Sequence, residues 1–299
     1  MKIVQSLWTK KGHKGGTRNF STTHRCGWPD KKYNYFSWAL SALQLRKYYD
    51  QLELVTDEKG YELLIKKMQL PYTSVKVVLD NLSRYHDELM MLGKIYAYSI
   101  QEAPFIHVDA DVFIWRPFDE GLFRSPLICQ SPEDGTFYNK HYGDIFYPML
   151  RNLAYCPEVL EASVLRNNCI RTINAGIIGG TDTAFFREYA RMVFEFVDRN
   201  LEHLHKIDVN YANIVFEQFL FSALAEDRQL EIKFFSPNAE VFLSDIVDLT
   251  GVPGRRQYIH LYAGHKKGGY FTDAMQYRLL KDYPDHYFRI LQLVKSNQI

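Results

Sequence analysis

The sequence predicts an α/β protein with a mostly parallel sheet flanked by helices, and three observations carry that expectation. Short β-prone runs alternate with segments whose apolar residues recur at helical spacing. The segments between the early strands run to about 10–15 residues, which suits right-handed βαβ crossovers rather than hairpins. No internal repeat, low-complexity tract or linker splits the chain, so a single domain over 1–299 is expected. With 299 residues, 46% of them hydrophobic and 24% charged, it can bury a substantial core.

The elements follow in order. Met1–Trp8 reads as the first strand; despite one basic residue, it has no long apolar core and no small-residue cleavage site, which argues against a secretion signal. Trp38, Ala42, Leu45 and Tyr49 mark a helix over 37–49, and Leu52–Thr56 a second strand closed by Asp57. A helix over about 60–68 leads past Pro71 to a third strand, 74–79, whose β-branched content argues for burial. Leu89, Leu92, Tyr96 and Ile100 stripe a helix over about 86–100, and Pro104 opens a fourth strand, 105–109. Between 127 and 172, Pro126, Pro132, Gly135, Gly143, Pro148 and Pro157 predict a strand followed by an irregular insertion. A strand over 172–178, helices near 183–204 and 209–226, and short strands near 231–235 and 257–262 come next. A helical tail over 273–295, broken at Pro284, ends the chain.

Composition narrows the function. A formal net charge of +1 supplies no basic face for nucleic acid. The longest apolar stretches, such as Leu89–Leu92, fall far short of the ~18–20 residues of a spanning helix. Four cysteines, at 26, 129, 156 and 169, form no Cys-x-x-Cys pair, which predicts reduced thiols and a cytoplasmic protein.

Asp109 and Asp111 flank Ala110 at the end of the fourth strand, where residues i and i+2 face the same side. Two carboxylates in one small space repel unless a cation lies between them. Mn²⁺ or Mg²⁺ would leave positions for the phosphate oxygens of a nucleotide. A solvated loop with two unrelated aspartates is the alternative. Parallel α/β sheets bind ligands at the carboxyl ends of their strands, which favours the cation.

Here the residues resemble a family. Lys94–Tyr98, Phe105–Val112, Pro117-Phe118 and Leu122-Phe123 resemble the donor-binding half of GT-A glycosyltransferases, particularly the glycogenin-like retaining family, glycosyltransferase family 8. Ile173–Ile178 resembles that family's Asn-Ala-Gly segment, Glu217-Gln218 its acidic-Gln pair, and His260–Lys267 its closing His-Gly-Lys motif. Residues 112–173 are longer than in the family pattern, Glu stands for the usual Asp at 217, and one extra residue separates His260 from Gly264.

Covering about 1–270, the resemblance implies a GT-A type, Rossmann-like fold. Residues 1–126 would be a nucleotide-sugar-binding half, 127–270 an acceptor and catalytic half, and 271–299 C-terminal helices. It implies transfer of a sugar from a nucleotide-sugar donor, UDP-linked, to a glycan, lipid-linked, peptide or small-molecule acceptor, with retention. Asp109, Asp111 and His260 would ligate Mn²⁺ or Mg²⁺. Trp8, Lys94, Asp109, Ala110, Asp111, Asn174, Ala175, Gly176, Gly264 and Lys267 would bind the donor, with Lys267 or Lys266 on the diphosphate. Gln218 and Glu217 would be the catalytic pair, Gln218 stabilising charge on the sugar and Glu217 orienting it; a Glu217 base would instead give inversion.

Plainer roles stand beside these. His260 also suits a core or surface position, Trp8 a core aromatic, Asn174–Gly176 a turn, and Asp80 a helix cap as well as a base or ribose contact. Glu217 and Gln218 share a helical stripe with Val215, Phe219 and Ser222, which could turn one of them to solvent. Lys10–Gly16 reads as a loop able to close over a diphosphate, or a solvated one. Asp109-Ala110-Asp111-Val112 also resembles haloacid-dehalogenase-like phosphatases, with Asp109 as nucleophile, Asp111 as acid/base and Asp245 and Asp248 as a later pair. A non-catalytic nucleotide-sugar-binding module is the third alternative.

Overall fold

A computed structural model describes residues 1–9, 26–238 and 251–299. Seven strands form one mixed sheet in the order β3-β2-β1-β4-β7-β6-β8: β1 Lys2–Leu7, β2 Leu52–Thr56, β3 Ser74–Val77, β4 Phe105–Val108, β6 Leu127–Glu133, β7 Thr172–Gly180 and β8 Ile232–Phe234. β1, β2 and β3 run parallel, as do β6 and β8, whereas β6 and β7 are antiparallel. The fold is α/β and compatible with a Rossmann-like arrangement, because the order 3-2-1-4 reverses direction between β1 and β4.

The helices are α1 Lys31–Tyr48, α2 Glu58–Tyr61, α3 Met91–Ser99, α4 Gly135–Asn152, α5 Glu158–Asn167, α6 Thr183–Asp198, α7 Val209–Ile214, α8 Leu220–Asp227, α9 Gly269–Asp282 and α10 Pro284–Lys295. The Asp30 carboxylate caps α1 by accepting from Lys32 N at 2.8 Å, so the helix starts ahead of the expected 37. Expected helices over 60–68 and 209–226 are each interrupted by a π-helical turn, Glu62–Lys67 and Val215–Phe219. The helix expected over 86–100 forms only from Met91, after a 3₁₀ turn at Leu79–Leu82.

Two expectations are corrected. β3 is an edge strand, not a buried one: only β2 covers it, and Val77 stays 38% exposed. The insertion at 127–172 is regular: β6 is followed by α4 and α5. Its glycines and prolines misled because several sit at element boundaries. Gly135 opens α4 with φ +84° and Pro157 precedes α5, whereas Gly143 and Pro148 lie inside α4 and Pro132 inside β6. The strand expected at 257–262 forms as β9, Tyr258–His260, but it pairs antiparallel with β5, Val112–Ile114, in a separate two-stranded sheet.

The chain divides into two compact units of interleaved segments. One comprises Lys2–Asp87, Val108–Phe118 and 241–299; Ile3, Val4, Phe36, Leu40, Leu54 and Val55 are fully buried in it. The other comprises Glu88–His107 and 119–240, with an aromatic cluster at its centre. There Phe186 meets Phe105 at 4.8 Å and Phe221 at 5.7 Å, and Tyr189 meets Phe221 at 5.3 Å, in tilted or edge-to-face arrangements.

Candidate metal centre and buried polar cluster

In the first unit, the backbone carrying the two aspartates is pinned by side chains of β1 and α1. Ser37 Oγ donates to Ala110 O at 2.7 Å, and Ser41 Oγ to Val112 O at 2.7 Å. Gln5 Nε2 donates to Ser41 Oγ at 3.0 Å and Val108 O at 3.2 Å. The β5–β9 register sets His260 opposite Val112, and Leu261 N donates to Asp111 O at 3.0 Å. One ligand atom each from Asp109, Asp111 and His260 therefore lies within 4.8 Å of the others.

Charge at this cluster is strongly biased. His260 Nε2 is 3.3 Å from Asp111 Oδ1, and the Lys266 ammonium 2.8 Å from Asp111 Oδ2. Burial alone would raise the Asp111 pKa, but Lys266 and then His260 overcome it and hold the carboxyl well below its usual range. Burial alone would lower the Lys266 pKa, and the facing Asp111 raises it instead. Lys266 Nζ also donates to Cys26 O at 3.1 Å and lies 5.5 Å over the Trp28 ring. Two carboxylates and an imidazole are a donor set able to hold a divalent metal ion. With Lys266 on Oδ2, Asp111 can still offer Oδ1, so the residues fit a divalent cation.

Other sequence-derived residues of this unit are placed as follows. Lys267 and Gly264 are exposed beside Lys266 in a 3₁₀ turn, Ala263–Lys267. Trp8 is half-buried just past β1. Asp80, within the 3₁₀ turn Leu79–Leu82, accepts through Oδ2 from Glu58 N at 2.9 Å at the start of α2, whose own N-cap is Asp57. Sequence reasoning gave Asp57 no role beyond ending β2, yet it accepts from Thr9 N at 2.8 Å, Thr9 Oγ1 at 2.7 Å and Gly60 N at 2.8 Å, tying the ends of β1 and β2 together. A cavity of about 410 Å³ next to Thr9 is lined by Tyr35, Glu58 and Lys67 among others, and by none of Asp109, Asp111 and His260. The Lys10–Gly16 loop, Asp245 and Asp248 lie outside the described residues.

The second unit holds the remaining site residues in a buried polar cluster. Glu217 is 2% exposed, on the π-helical turn between α7 and α8, a distortion common at functional sites. It does not face solvent; it pairs with Lys94 Nζ at 2.6 Å and accepts from Tyr98 OH at 3.3 Å. Lys94 also donates to Ala175 O at 3.2 Å. Asn174, Ala175 and Gly176 lie inside β7 as buried strand, not turn. Asn174 Nδ2 donates to Glu133 Oε1 at 2.9 Å, and Tyr142 OH to Glu133 Oε2 at 2.6 Å. Since that hydroxyl has a single proton, Gln218 meets it as a donor, its Nε2 also facing Ile173 O at 3.2 Å. Burial first, and the Glu133 charge second, push the Tyr142 hydroxyl pKa well above its usual value. Glu133 and Tyr142 were missed from the sequence. Nothing local in the sequence marked either residue, since Glu133 follows the mixed run Gln130-Ser131-Pro132.

Residues 1–293 match DUF6734, described as a family of unknown function. The chain belongs to the DUF6734 family. It matches no functionally curated protein. In this DUF6734 protein no helix among the described residues is long and apolar enough to cross a membrane. What the DUF6734 chain offers chemically is an acidic, imidazole-bearing cluster backed by a lysine in one unit, and a neutralised buried carboxylate beside amides and a tyrosine in the other.

Proposed function

We propose that this DUF6734 protein is a metal-dependent glycosyltransferase of GT-A type, moving a sugar from a UDP-linked donor to an acceptor with retention of configuration. The observation that carries this is the convergence of Asp109, Asp111 and His260, three residues chosen from sequence as a ligand set and drawn from segments far apart in the chain. The turn of strand order between β1 and β4, with the acidic pair following β4, supports it, since α/β sheets bind nucleotides at such reversals. Thiols in place of disulfides at Cys26, Cys129, Cys156 and Cys169 suit a reducing compartment such as the cytoplasm.

Asp109, Asp111 and His260 would hold Mn²⁺ or Mg²⁺, which supplies charge neutralisation for a departing diphosphate. Lys266 and the exposed Lys267 bind phosphate oxygens, Lys266 exchanging one anionic partner, Asp111, for another. Gly264 gives the diphosphate access to backbone, since even an added Cβ there would meet nothing within 4 Å. The resemblance assigns the orienting of the donor sugar to Asn174, Gln218 and Glu217. Retention is favoured over inversion because the Glu217 carboxylate is already engaged by the Lys94 ammonium at 2.6 Å and by Tyr98 OH, rather than open to an acceptor hydroxyl.

Calorimetric titration with UDP tests the reading. Mn²⁺ should tighten binding at least tenfold, and Asp111→Asn should abolish that gain while circular dichroism stays unchanged. Equal affinity with and without Mn²⁺ rejects it. With Mn²⁺ and a panel of nucleotide sugars, UDP release is expected; hydrolysis of simple phosphate monoesters alone would favour a phosphatase.

A further inference from the structure

We infer that the acceptor is a saccharide, one ring of which stacks on the paired rings of Phe137 and His141 on α4. This rests on the transferase reading and names its acceptor class. Phe137 is 63% exposed and His141 is exposed, one helical turn apart on the same face. Their rings are stacked, parallel to within 9° with centroids 6.2 Å apart, so His141 steadies the Phe137 ring while most of the Phe137 side chain stays open to solvent. Aromatic faces carry partial negative charge and attract the polarised C–H bonds of a sugar's apolar side.

The surroundings favour a sugar over a protein partner. Lys140 and Asp144, paired at 2.7 Å on the same helix, and exposed Asp134 and Thr136 supply donors and acceptors for hydroxyl groups. The core of a protein interface is depleted of such charges. The platform also continues into the buried polar cluster. The His141 ring meets Tyr142 edge-on at 5.7 Å, and the Tyr142 hydroxyl touches Glu133 and Gln218. One turn of α4 thus faces solvent while the adjoining residue reaches the groups assigned to the donor sugar. A rigid helix linking the two is what transfer to an acceptor hydroxyl needs.

Saturation-transfer difference NMR with maltose, cellobiose and lactose as probes tests this, alongside UDP titration in Mn²⁺ on the same samples. At least one disaccharide should receive saturation from the protein, and Phe137→Ala and His141→Ala should each weaken its binding fivefold or more. UDP affinity should stay within twofold. If Phe137→Ala proves unstable, Phe137→Leu, which keeps apolar bulk without the ring face, should lose the sugar as well. Binding that survives these substitutions, or no binding of any probe to the native protein, overturns the inference. The readouts separate the two claims: lost sugar binding with intact Mn²⁺-dependent UDP binding defeats the acceptor site alone. Sugar binding that needs Phe137, without UDP binding, sustains the platform and defeats the transferase reading.

Discussion

Glu217 shows how much one buried carboxylate can reveal. Its burial idle would be costly, which singled it out in the sequence; its partner Lys94, on α3, could not be read there because the ion pair joins distant segments. Removing the ammonium strands a charge that is 2% exposed. Lys94→Ala should therefore cost about 3–5 kcal/mol, whereas Lys94→Met combined with Glu217→Leu should recover most of that loss, as apolar replacements of buried pairs commonly do. Urea unfolding of the single and double variants checks it, and equal stability losses in both would show that the charge is not the reason. On the proposed transferase reading, the double variant should still fail to use a nucleotide sugar. Asp109, Asp111 and His260 were legible as residue types, but Lys266 rather than Lys267 on Asp111 was decided by the turn that follows β9.

At the scale of elements, β7 and the 3₁₀ turn at Ala263–Lys267 make opposite demands on their glycines. A Cβ on Gly179 would lie 2.1 Å from Phe105 O and 2.7 Å from Ile106 Cα, both backbone atoms of β4 that cannot yield. Gly179→Ala should lose about 3 kcal/mol or more, or fail to fold, because overpacking against a strand forces the sheet apart. Gly264→Ala meets nothing within 4 Å and should leave stability within about 0.5 kcal/mol. It should nevertheless weaken UDP binding threefold or more if the diphosphate approaches the backbone there. Thermal melts and calorimetry on the two variants check both halves. Strands and helices with a clear period were legible because 2-residue and 3.6-residue repeats are local properties. The helices α4 and α5 were not, since proline and glycine punctuate helix ends as readily as loops. Nor was β5, whose three residues form a strand only because β9 pairs with them.

For the molecule as a whole, buried tyrosines set an alkaline limit. Burial pushes Tyr35 and Tyr283 up to about 12 and Tyr72, Tyr142 and Tyr189 well above 10. Each stays neutral in the folded state while its unfolded counterpart ionises near pH 10, so the unfolded state sheds more protons. The stability these groups contribute is complete below pH 10 and falls above it, by up to about 1.4 kcal/mol per pH unit for the fully buried Tyr72, Tyr142 and Tyr189 and by less for the half-buried Tyr283. Phenolate absorbance should accordingly show part of the 21 tyrosines titrating near pH 10 and the rest only on cooperative unfolding. A single smooth titration without loss of structure would contradict it. The sequence by itself determined the α/β class, most strand and helix positions and the side-chain chemistry available at 109, 111 and 260, because periodicity and residue chemistry are written locally. Only the tertiary structure decided strand order, the separate β5–β9 pair, and the partners of Asp111, Glu217 and Tyr142. Those depend on which distant segments meet, and no local pattern encodes that.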